Sequence, residues 1–227
     1  MFFLIKLTAE QIYNRLSVEL LGEVGEIVFN FAGLSVKIDT TDSVGITLQS
    51  WLKQYMLSNG IYFSEPRNTQ EFPDFFLDDC IDKNLLEVKS FNYFAVPGFD
   101  IANFDSYCSS VAEKPYILDA DYLIFGYVMS DVGDISVRKL WLRKVWQIAG
   151  TSARFALKTQ VKKDMIYNIR PNNDFNRDRD GVFSSKDDFL LAIYNTLVEY
   201  KGRVFANNWR NVLSYNYNDY YKTSLPF

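Results

Sequence analysis

Two acidic residues and a lysine are spaced so that a β-hairpin would bring them together. Pro73-Asp74-Phe75-Phe76-Leu77 predicts a first strand, and Leu85 to Phe91 predicts a second after a polar turn. Side chains alternate between the two faces of a strand, so Glu87 and Lys89 share one face. Asp74 would lie across the hairpin, close enough to share a cation with Glu87. The spacing therefore predicts a two-carboxylate cation site beside an ammonium group.

This trio could hydrolyse a phosphodiester. Two carboxylates are suitable ligands for Mg²⁺, which is a hard ion that takes oxygen ligands. A bound Mg²⁺ polarises a phosphate and lowers the pKa of a water ligand. An ammonium group beside that water could stabilise hydroxide and the charge that develops on the phosphate. An ordinary structural hairpin would have the same pattern, because short acid-x-Lys sequences are common by chance.

The composition excludes several other chemistries. The chain contains no histidine, which removes His-based triads, His-Cys zinc sites and HNH-type nucleases. Cys80 and Cys108 are isolated and lack metal-ligand spacing, so we expect two packed thiols. The apolar start, Met1 to Lys6, is too short for a signal peptide, and no run of 18 apolar residues occurs. These features predict a cytoplasmic protein.

The charge is unevenly distributed along the chain, although the net charge is only −4. Residues 1–130 carry 8 Lys and Arg against 18 Asp and Glu, a balance of −10. Residues 131–227 carry 16 against 10, a balance of +6. A basic second part is typical of a protein that binds a polyanion. Such a difference can also arise by chance.

The hydrophobic pattern predicts an α/β fold in which helices flank a mixed central sheet. A capping box at Thr8 opens a first helix, and the apolar run from Tyr122 to Met129 predicts a fully buried central strand. The whole chain, residues 1–227, would form a single domain. The remaining predicted elements are strands in 27–38, a helix over 44–58, a helix from Asp100 to Lys114, strands at 136–142 and 144–149, an irregular basic segment at 150–181, a helix over 184–201 and an aperiodic tail from Asn207.

The chain resembles the PD...(D/E)xK nucleases of type II restriction systems, and within them the EcoRV-like blunt cutters. Four segments are similar to that group and occur in the same order, namely residues 60–77, 124–128, 145–150 and 182–190. A narrower resemblance is to the NlaIV- and NgoBV-like enzymes, which cut at GGNNCC. The resemblance implies a restriction-endonuclease-like core and a type II endonuclease that leaves 5′-phosphate, blunt ends at a short palindromic site.

The resemblance assigns roles to matching positions only. Asp74 and Glu87 would bind Mg²⁺, and Lys89 would assist the attacking water. The EcoRV-like group has a further acid on the helix before the catalytic region, and counting back without gaps places Gly45 there. The nearest acids, and so the candidates for an extra ligand, are Asp42 and Glu26.

DNA contacts are implied in two segments. The loop around Arg67 would touch the minor-groove side, and residues 150–181 would form the recognition region, with the major-groove reader in Thr151 to Gln160. Arg154 is the first choice for reading guanine, because a guanidinium matches N7 and O6, although a phosphate contact is an equal alternative. The candidate DNA-binding residues are Arg67, Asn68, Thr69, Gln70, Thr151, Ser152, Arg154, Lys158 and Gln160, with Lys162, Lys163, Arg170, Arg177 and Arg179 expected at phosphates.

A palindromic site implies a homodimer, since two site readers must be related by a twofold axis. Residues 1–40 are the candidate dimerisation element. A restriction enzyme also requires a cognate methyltransferase that protects the host DNA. Three alternatives remain open: a junction resolvase or repair nickase with the same core, a catalytically silent DNA-binding module, and a globular protein with a merely structural hairpin.

Overall fold

The structure, a computed structural model, describes residues 4–68, 71–177 and 181–227. Its helices are α1 (Ala9–Glu19), α2 (Val44–Ser58), α3 (Phe104–Glu113), α4 (Val145–Ile148), α5 (Lys186–Lys201) and α6 (Arg203–Tyr221). Its strands are β1 (Val24–Glu26), β2 (Val28–Phe31), β3 (Leu34–Lys37), β4 (Phe75–Phe76), β5 (Leu85–Asn92), β6 (Ala102–Asn103), β7 (Asp121–Met129), β8 (Asp134–Arg143), β9 (Thr159–Lys162) and β10 (Met165–Ile169).

The main sheet has five strands in the order β1-β8-β7-β5-β4. β5 and β7 are parallel, and the other neighbours are antiparallel, so the sheet is mixed. β7 is the middle strand and is buried over most of its length, as its continuous apolar sequence predicts. The predicted α/β fold, with a mixed sheet flanked by helices, is confirmed.

Helices α1 and α2 contribute their apolar residues to one core with β4, β5, β7 and β8. The predicted capping box at the start of α1 is present, because the Thr8 and Gln11 side chains bond reciprocally to each other's backbone N–H. α2 buries a row of apolar residues at intervals of four, which gives it one continuous inward face. That row is Val44, Leu48, Leu52 and Met56.

A glycine in β7 permits close packing beside the strand that carries the acid-x-Lys sequence. A Cβ atom at Gly126 would lie 2.7 Å from the Trp141 ring. The same ring packs on Phe91 of β5, with centroids 5.4 Å apart. The position therefore has no room for a side chain while the tryptophan keeps its place.

The chain divides into two compact units. The first comprises Met1–Val96 and Asp121–Arg143 and contains the main sheet with the hairpin. The second comprises Pro97–Ala120 and Lys144–Phe227 and contains the three-stranded sheet β6-β10-β9. In this second unit the Trp209 indole of α6 donates to the Cys108 carbonyl of α3 over 2.7 Å. A single domain over residues 1–227 stays a prediction.

Two sequence-based assignments in the second unit are wrong. Residues 144–149 form the short helix α4 rather than a strand, because the Gln147 side chain accepts from the Lys144 N–H and closes a helical turn. The tail from Asn207 belongs to the 19-residue helix α6, which buries Trp209, Leu213 and Tyr217 at intervals of four. Its many Asn and Tyr residues have modest helix propensity, and burial overrides it.

Two further expectations also need correction. The segment 150–181 contains a hairpin, β9–β10, in which Lys163 and Asp164 adopt positive φ at the turn. The side chains of its turn are polar and exposed, so alternating hydrophobicity gives little sign of it.

Cys108 is buried, as expected of a packed thiol, but Cys80 is exposed. Among the described residues, no helix is long and apolar enough to cross a membrane.

Candidate active site

The candidate site lies where β4 stops pairing with β5. β4 is only two residues long, and its backbone pairs Phe75 with Leu86 and Phe76 with Leu85. Asp74 precedes β4 by one residue, and its side chain takes the place of a strand backbone carbonyl. Its Oδ2 accepts a hydrogen bond from the Val88 N–H of β5 at 2.7 Å. A strand edge left unpaired by a short neighbour thus holds a carboxylate in place.

Asp74, Glu87 and Lys89 meet as the hairpin pattern predicts. The Asp74 N–H donates to Glu87 Oε2 at 3.1 Å. Glu87 Oε1 lies 2.8 Å from Lys89 Nζ, on the strand face that the two residues share. Glu87 is 7% exposed, and the Lys89 side chain is 20% exposed. The two carboxylates and the ammonium form one connected and largely desolvated group.

Burial raises the pKa of the Asp74 carboxyl to about 7, and the negative charge of Glu87 adds to this effect. The Val88 N–H, the Lys89 ammonium and the Gln49 amide lower the same pKa, but they do not cancel it. The half-buried Asp74 carboxylate therefore lies where its negative charge is incompletely compensated. A cation is the usual means of relieving such a pair.

The donor set fits a hard divalent cation. Each carboxylate oxygen of Asp74 and Glu87 takes one hydrogen bond or ion pair. The Asp74 oxygens accept from the Gln49 amide and the Val88 N–H, both at 2.7 Å. The Glu87 oxygens accept from the Asp74 N–H and pair with the Lys89 ammonium. A carboxylate oxygen has room for a second partner, so ligand positions remain. Oxygen-only ligands suit Mg²⁺ better than a soft metal.

The candidates for an extra acid do not join this pair. Glu26 is exposed on β1 and pairs with Lys37 at 3.1 Å, three strands away from β5 or roughly 14 Å. Asp42 is exposed in the turn before α2, where its charge acts on Tyr127. Within the described residues, no group of three or more His, Cys, Asp and Glu could hold a metal ion.

A residue that the sequence did not indicate lies at the site instead. Gln49 of α2 donates its side-chain amide to Asp74 Oδ1 at 2.7 Å. Its position is four residues after Gly45, where counting placed the additional acid. A Cβ atom at Gly45 would lie 3.1 Å from Ser90 Oγ of β5, so this face of α2 does approach the catalytic strand. Helical spacing from Gly45 was the only available signal.

The residues expected near the minor groove are only partly described. Arg67 and Asn68 are exposed in the loop before the hairpin. The Asn68 carbonyl accepts from the Glu71 N–H at 3.0 Å. Thr69 and Gln70 lie outside the described residues, as does Arg179.

The first part of the predicted reading segment is exposed. Thr151, Ser152 and Arg154 are accessible to solvent. The Ser152 hydroxyl accepts from the Phe155 N–H and donates to the Phe155 carbonyl, both at 3.1 Å, so it shapes a local turn. Arg154 lies over the Phe155 ring and is 3.4 Å from Asp164. Its guanidinium is restrained but remains half exposed.

The second part of that segment is turned inward. Lys158 Nζ donates to the Pro171 carbonyl at 2.9 Å and to Asn173 Oδ1 at 2.6 Å. Burial lowers the pKa of this lysine, with a further contribution from Arg170. Gln160 accepts from the Asn168 side chain at 3.1 Å across the β9–β10 hairpin. Both side chains therefore support the loop from within.

The basic residues expected at phosphates differ in their accessibility. Lys162 and Lys163 are exposed at the β9–β10 turn, whereas Arg170 is paired with Asp100 and with the Gly98 carbonyl. Arg177 is exposed and pairs with Asp174 at 3.0 Å.

The two compact units differ in charge. The first unit carries 10 Lys and Arg against 16 Asp and Glu, and the second unit carries 14 against 12. The second unit is therefore only mildly basic.

Comparisons with known proteins agree with one another. Residues 6–227 match the profile of the family described as NgoBV restriction endonuclease. The type II restriction enzyme NlaIV of Neisseria lactamica is 39% identical over 228 residues, which cover 98% of this chain and 94% of that enzyme. The type II restriction enzyme NgoBV of Neisseria gonorrhoeae is 39% identical over 163 residues, covering 70% and 93%. A solved structure of the NlaIV restriction endonuclease superposes with a TM-score of 0.90 at 38% identity, covering 98% of this chain and 94% of that one.

Proposed function

Because the chain belongs to the NgoBV restriction endonuclease family and is a type II restriction endonuclease, we propose that it cleaves double-stranded DNA at a short palindromic site. The reaction requires Mg²⁺ and leaves a 3′-hydroxyl and a 5′-phosphate at blunt ends. The observation that carries this proposal is the connected group of Asp74, Glu87 and Lys89 in one hairpin.

The three side chains divide the work of phosphodiester hydrolysis. Asp74 and Glu87 hold the divalent cation through their carboxylate oxygens. When bound, the cation polarises the scissile phosphate and lowers the pKa of a nearby water. Lys89 stabilises the attacking hydroxide and the negative charge that develops on the phosphate. Its ammonium is 2.8 Å from Glu87 Oε1, which keeps it beside the cation ligands.

Sequence recognition is proposed for the second unit and for the loop before the hairpin. Arg154 reads guanine, a role that its half-exposed guanidinium permits. Thr151 and Ser152 lie beside it, and Arg67 and Asn68, with Thr69 and Gln70, contact the minor-groove side. Lys158 and Gln160 act indirectly, since their internal hydrogen bonds support the loop. Lys162 and Lys163 bind phosphates.

A homodimer is proposed through residues 1–40. All eight strand residues of the β2–β3 hairpin in this segment are exposed. Phe29 and Phe31 stack on each other with centroids 6.0 Å apart, and Phe31 is 70% exposed. An apolar patch of this kind is typical of an interaction surface. A second copy related by a twofold axis would cover it and cut the second DNA strand.

The setting of the reaction follows from its substrate. A site-specific nuclease must be prevented from cutting the DNA of its own cell, so a cognate methyltransferase modifies the same site. The enzyme acts in the cytoplasm on unmodified incoming DNA. GGNNCC, the site of the enzymes that the chain resembles, is the proposed recognition sequence.

The test is digestion of a sequenced, unmethylated phage DNA in the presence of Mg²⁺. We compare wild type with Lys89→Ala and with Lys83→Ala, an exposed lysine in the turn of the same hairpin. Discrete fragments are expected from wild type and Lys83→Ala and none from Lys89→Ala, with DNA binding retained in all three. Sequencing of the fragment ends gives the site and the cut position.

Each component of the proposal can fail separately. A smear of fragments would contradict site-specific cleavage. It would indicate shape-directed or non-specific cleavage, as expected of a resolvase or nickase. Staggered ends would contradict the blunt cut alone, and ends outside GGNNCC would contradict the site alone. Cleavage by Lys89→Ala would remove the role of the lysine. Binding without any cleavage by wild type would indicate a silent DNA-binding module.

A further inference from the structure

One row of side chains on α2 faces the catalytic hairpin. Gly45, Gln49 and Lys53 are four residues apart and therefore lie on the same face of the helix. A Cβ atom at Gly45 would be 3.1 Å from Ser90 Oγ, the Gln49 amide donates to Asp74 Oδ1 at 2.7 Å, and Lys53 Nζ is 2.6 Å from Glu65 Oε2. The row follows the site from β5 to the loop that precedes the hairpin.

Gln49 restricts the orientation of the Asp74 carboxylate. Asp74 Oδ2 accepts from the Val88 backbone, and Oδ1 accepts from the Gln49 side chain. A single donor would let the carboxylate rotate about its terminal bond, whereas two donors on two different oxygens fix that rotation. The remaining acceptor positions then point in defined directions, as they must for a small ion that requires near-octahedral geometry.

The position of Gln49 is next to open space. Gln49, Asp74, Glu65 and Pro66 line a cavity of about 40 Å³. This volume is enough for one water molecule. The Glu65 carboxylate, which also lines the cavity, is paired with Lys53, so it is not presented to the cavity as an uncompensated charge. The side of Asp74 that Gln49 contacts is therefore the accessible side.

We propose that Gln49 is a positioning residue of the metal site, which orients Asp74 for cation binding without adding a charge. The inference rests on the proposed function and identifies what α2 contributes to it. An acidic residue at position 49 would add a third carboxylate to the site. The neutral amide of Gln49 leaves the site with two carboxylates and one ammonium. The site then takes its cation affinity from geometry rather than from additional negative charge.

Outer partners that orient a metal ligand are worth about 10- to 100-fold in metal affinity or activity when they are removed. Gln49→Leu keeps the approximate size of the side chain and removes the amide. We expect it to weaken Mn²⁺ binding to the DNA-free protein about 10-fold by calorimetry. The Mg²⁺ concentration for half-maximal cleavage should rise by a similar factor, while DNA binding without metal and the melting temperature stay near wild type.

The matched control is Gln54→Leu. Gln54 lies on the same helix and bonds to Ser58, and it is exposed away from the site. It should bind Mn²⁺ as wild type does. A second variant, Gln49→Met, keeps the length of the side chain and likewise lacks the amide donor. It should weaken Mn²⁺ binding to about the same extent as Gln49→Leu.

The outcomes separate this inference from the proposed function. Wild-type Mn²⁺ affinity and Mg²⁺ dependence in Gln49→Leu would overturn the positioning role. Wild-type Mn²⁺ affinity in Gln49→Met would overturn it as well, because the loss in Gln49→Leu would then come from packing rather than from the polar contact. If wild type shows no metal-dependent cleavage, the proposed function fails, whatever the calorimetry of the variants shows.

Discussion

The Asp74 N–H donates a hydrogen bond to Glu87 Oε2 over 3.1 Å, so the two carboxyl groups of the hairpin are linked through the backbone of one of them. The backbone pairing of β4 with β5 ends at Phe75 and Leu86. The hydrogen bond takes the place of that pairing at the next two residues, Asp74 and Glu87. As a result, the separation of the two acids is set by β-sheet geometry rather than by flexible side chains. A cation site on such a rigid element is pre-organised before any metal binds.

Asp74→Asn should stabilise the metal-free protein at pH 8 while abolishing cleavage. The folded-state pKa of about 7 is raised above the unfolded value of 3.8, so the cost of ionising Asp74 to folding builds up as the pH rises from the unfolded to the folded value and is complete above about 7. Removing the charge should add about 2 kcal/mol to the free energy of unfolding at pH 8. The measurement is urea denaturation in the presence of a chelator.

The pH dependence provides the check on that effect. Asp74 binds a proton in the folded state as the pH falls through about 7, so the advantage of the asparagine should shrink between pH 8 and pH 5.5. Asp42→Asn, at an exposed acid, should change stability by less than about 0.5 kcal/mol at either pH. An equal stability difference at both pH values for Asp74→Asn would contradict the raised pKa as its cause.

Arg154→Ala should cost about 1–3 kcal/mol of discrimination at one base position, because a bidentate contact to guanine would be lost. The measurement is competition binding with a set of duplexes that each carry one base change in the site. Lys163→Ala, at an exposed lysine of the β9–β10 turn, should instead weaken binding to all duplexes equally and lower the salt slope by about one. A uniform loss for Arg154→Ala would make it a phosphate contact.

Phe31→Asp should shift the protein from dimer to monomer. A buried charge replaces an aromatic anchor in the proposed interface, which should raise the dimer dissociation constant by at least about 30-fold, or 2 kcal/mol. Sedimentation equilibrium measures this directly. Phe94→Asp is the control, since Phe94 is 77% exposed in the same unit but lies outside residues 1–40. A dimer that is unaffected by Phe31→Asp would exclude the β2–β3 hairpin as the interface.

Gly126→Ala should destabilise the first unit by about 1–3 kcal/mol through overpacking. The added methyl group would lie 2.7 Å from the Trp141 ring, which is itself held against Phe91. Gly25→Ala is the matched control in the same sheet, because a Cβ atom there meets nothing within 4 Å. Thermal melts of both variants test the difference, and equal melting temperatures would mean that the tryptophan relaxes without cost.

The sequence by itself determined the parts of the fold whose interactions are local. Asp74 and Glu87 are 13 residues apart in the hairpin, and the alternation of β5 fixes Glu87 and Lys89 on one face. The capping box of α1 and the apolar run of β7 are likewise encoded within a few residues. Such features can be recognised because the partners are close in the chain and share one geometric period.

Tertiary structure decided the features whose partners are distant in the chain. Short apolar runs such as residues 145–148 suit a strand or a helix, and the packing around α4 selects the helix. The Asn- and Tyr-rich helix α6 forms because Trp209, Leu213 and Tyr217 are buried against other elements. Gln49 reaches Asp74 across 25 residues only because α2 packs on β5, and no local period encodes that contact. Burial of whole elements, which depends on the complete chain, therefore placed the one site residue that the motif could not supply.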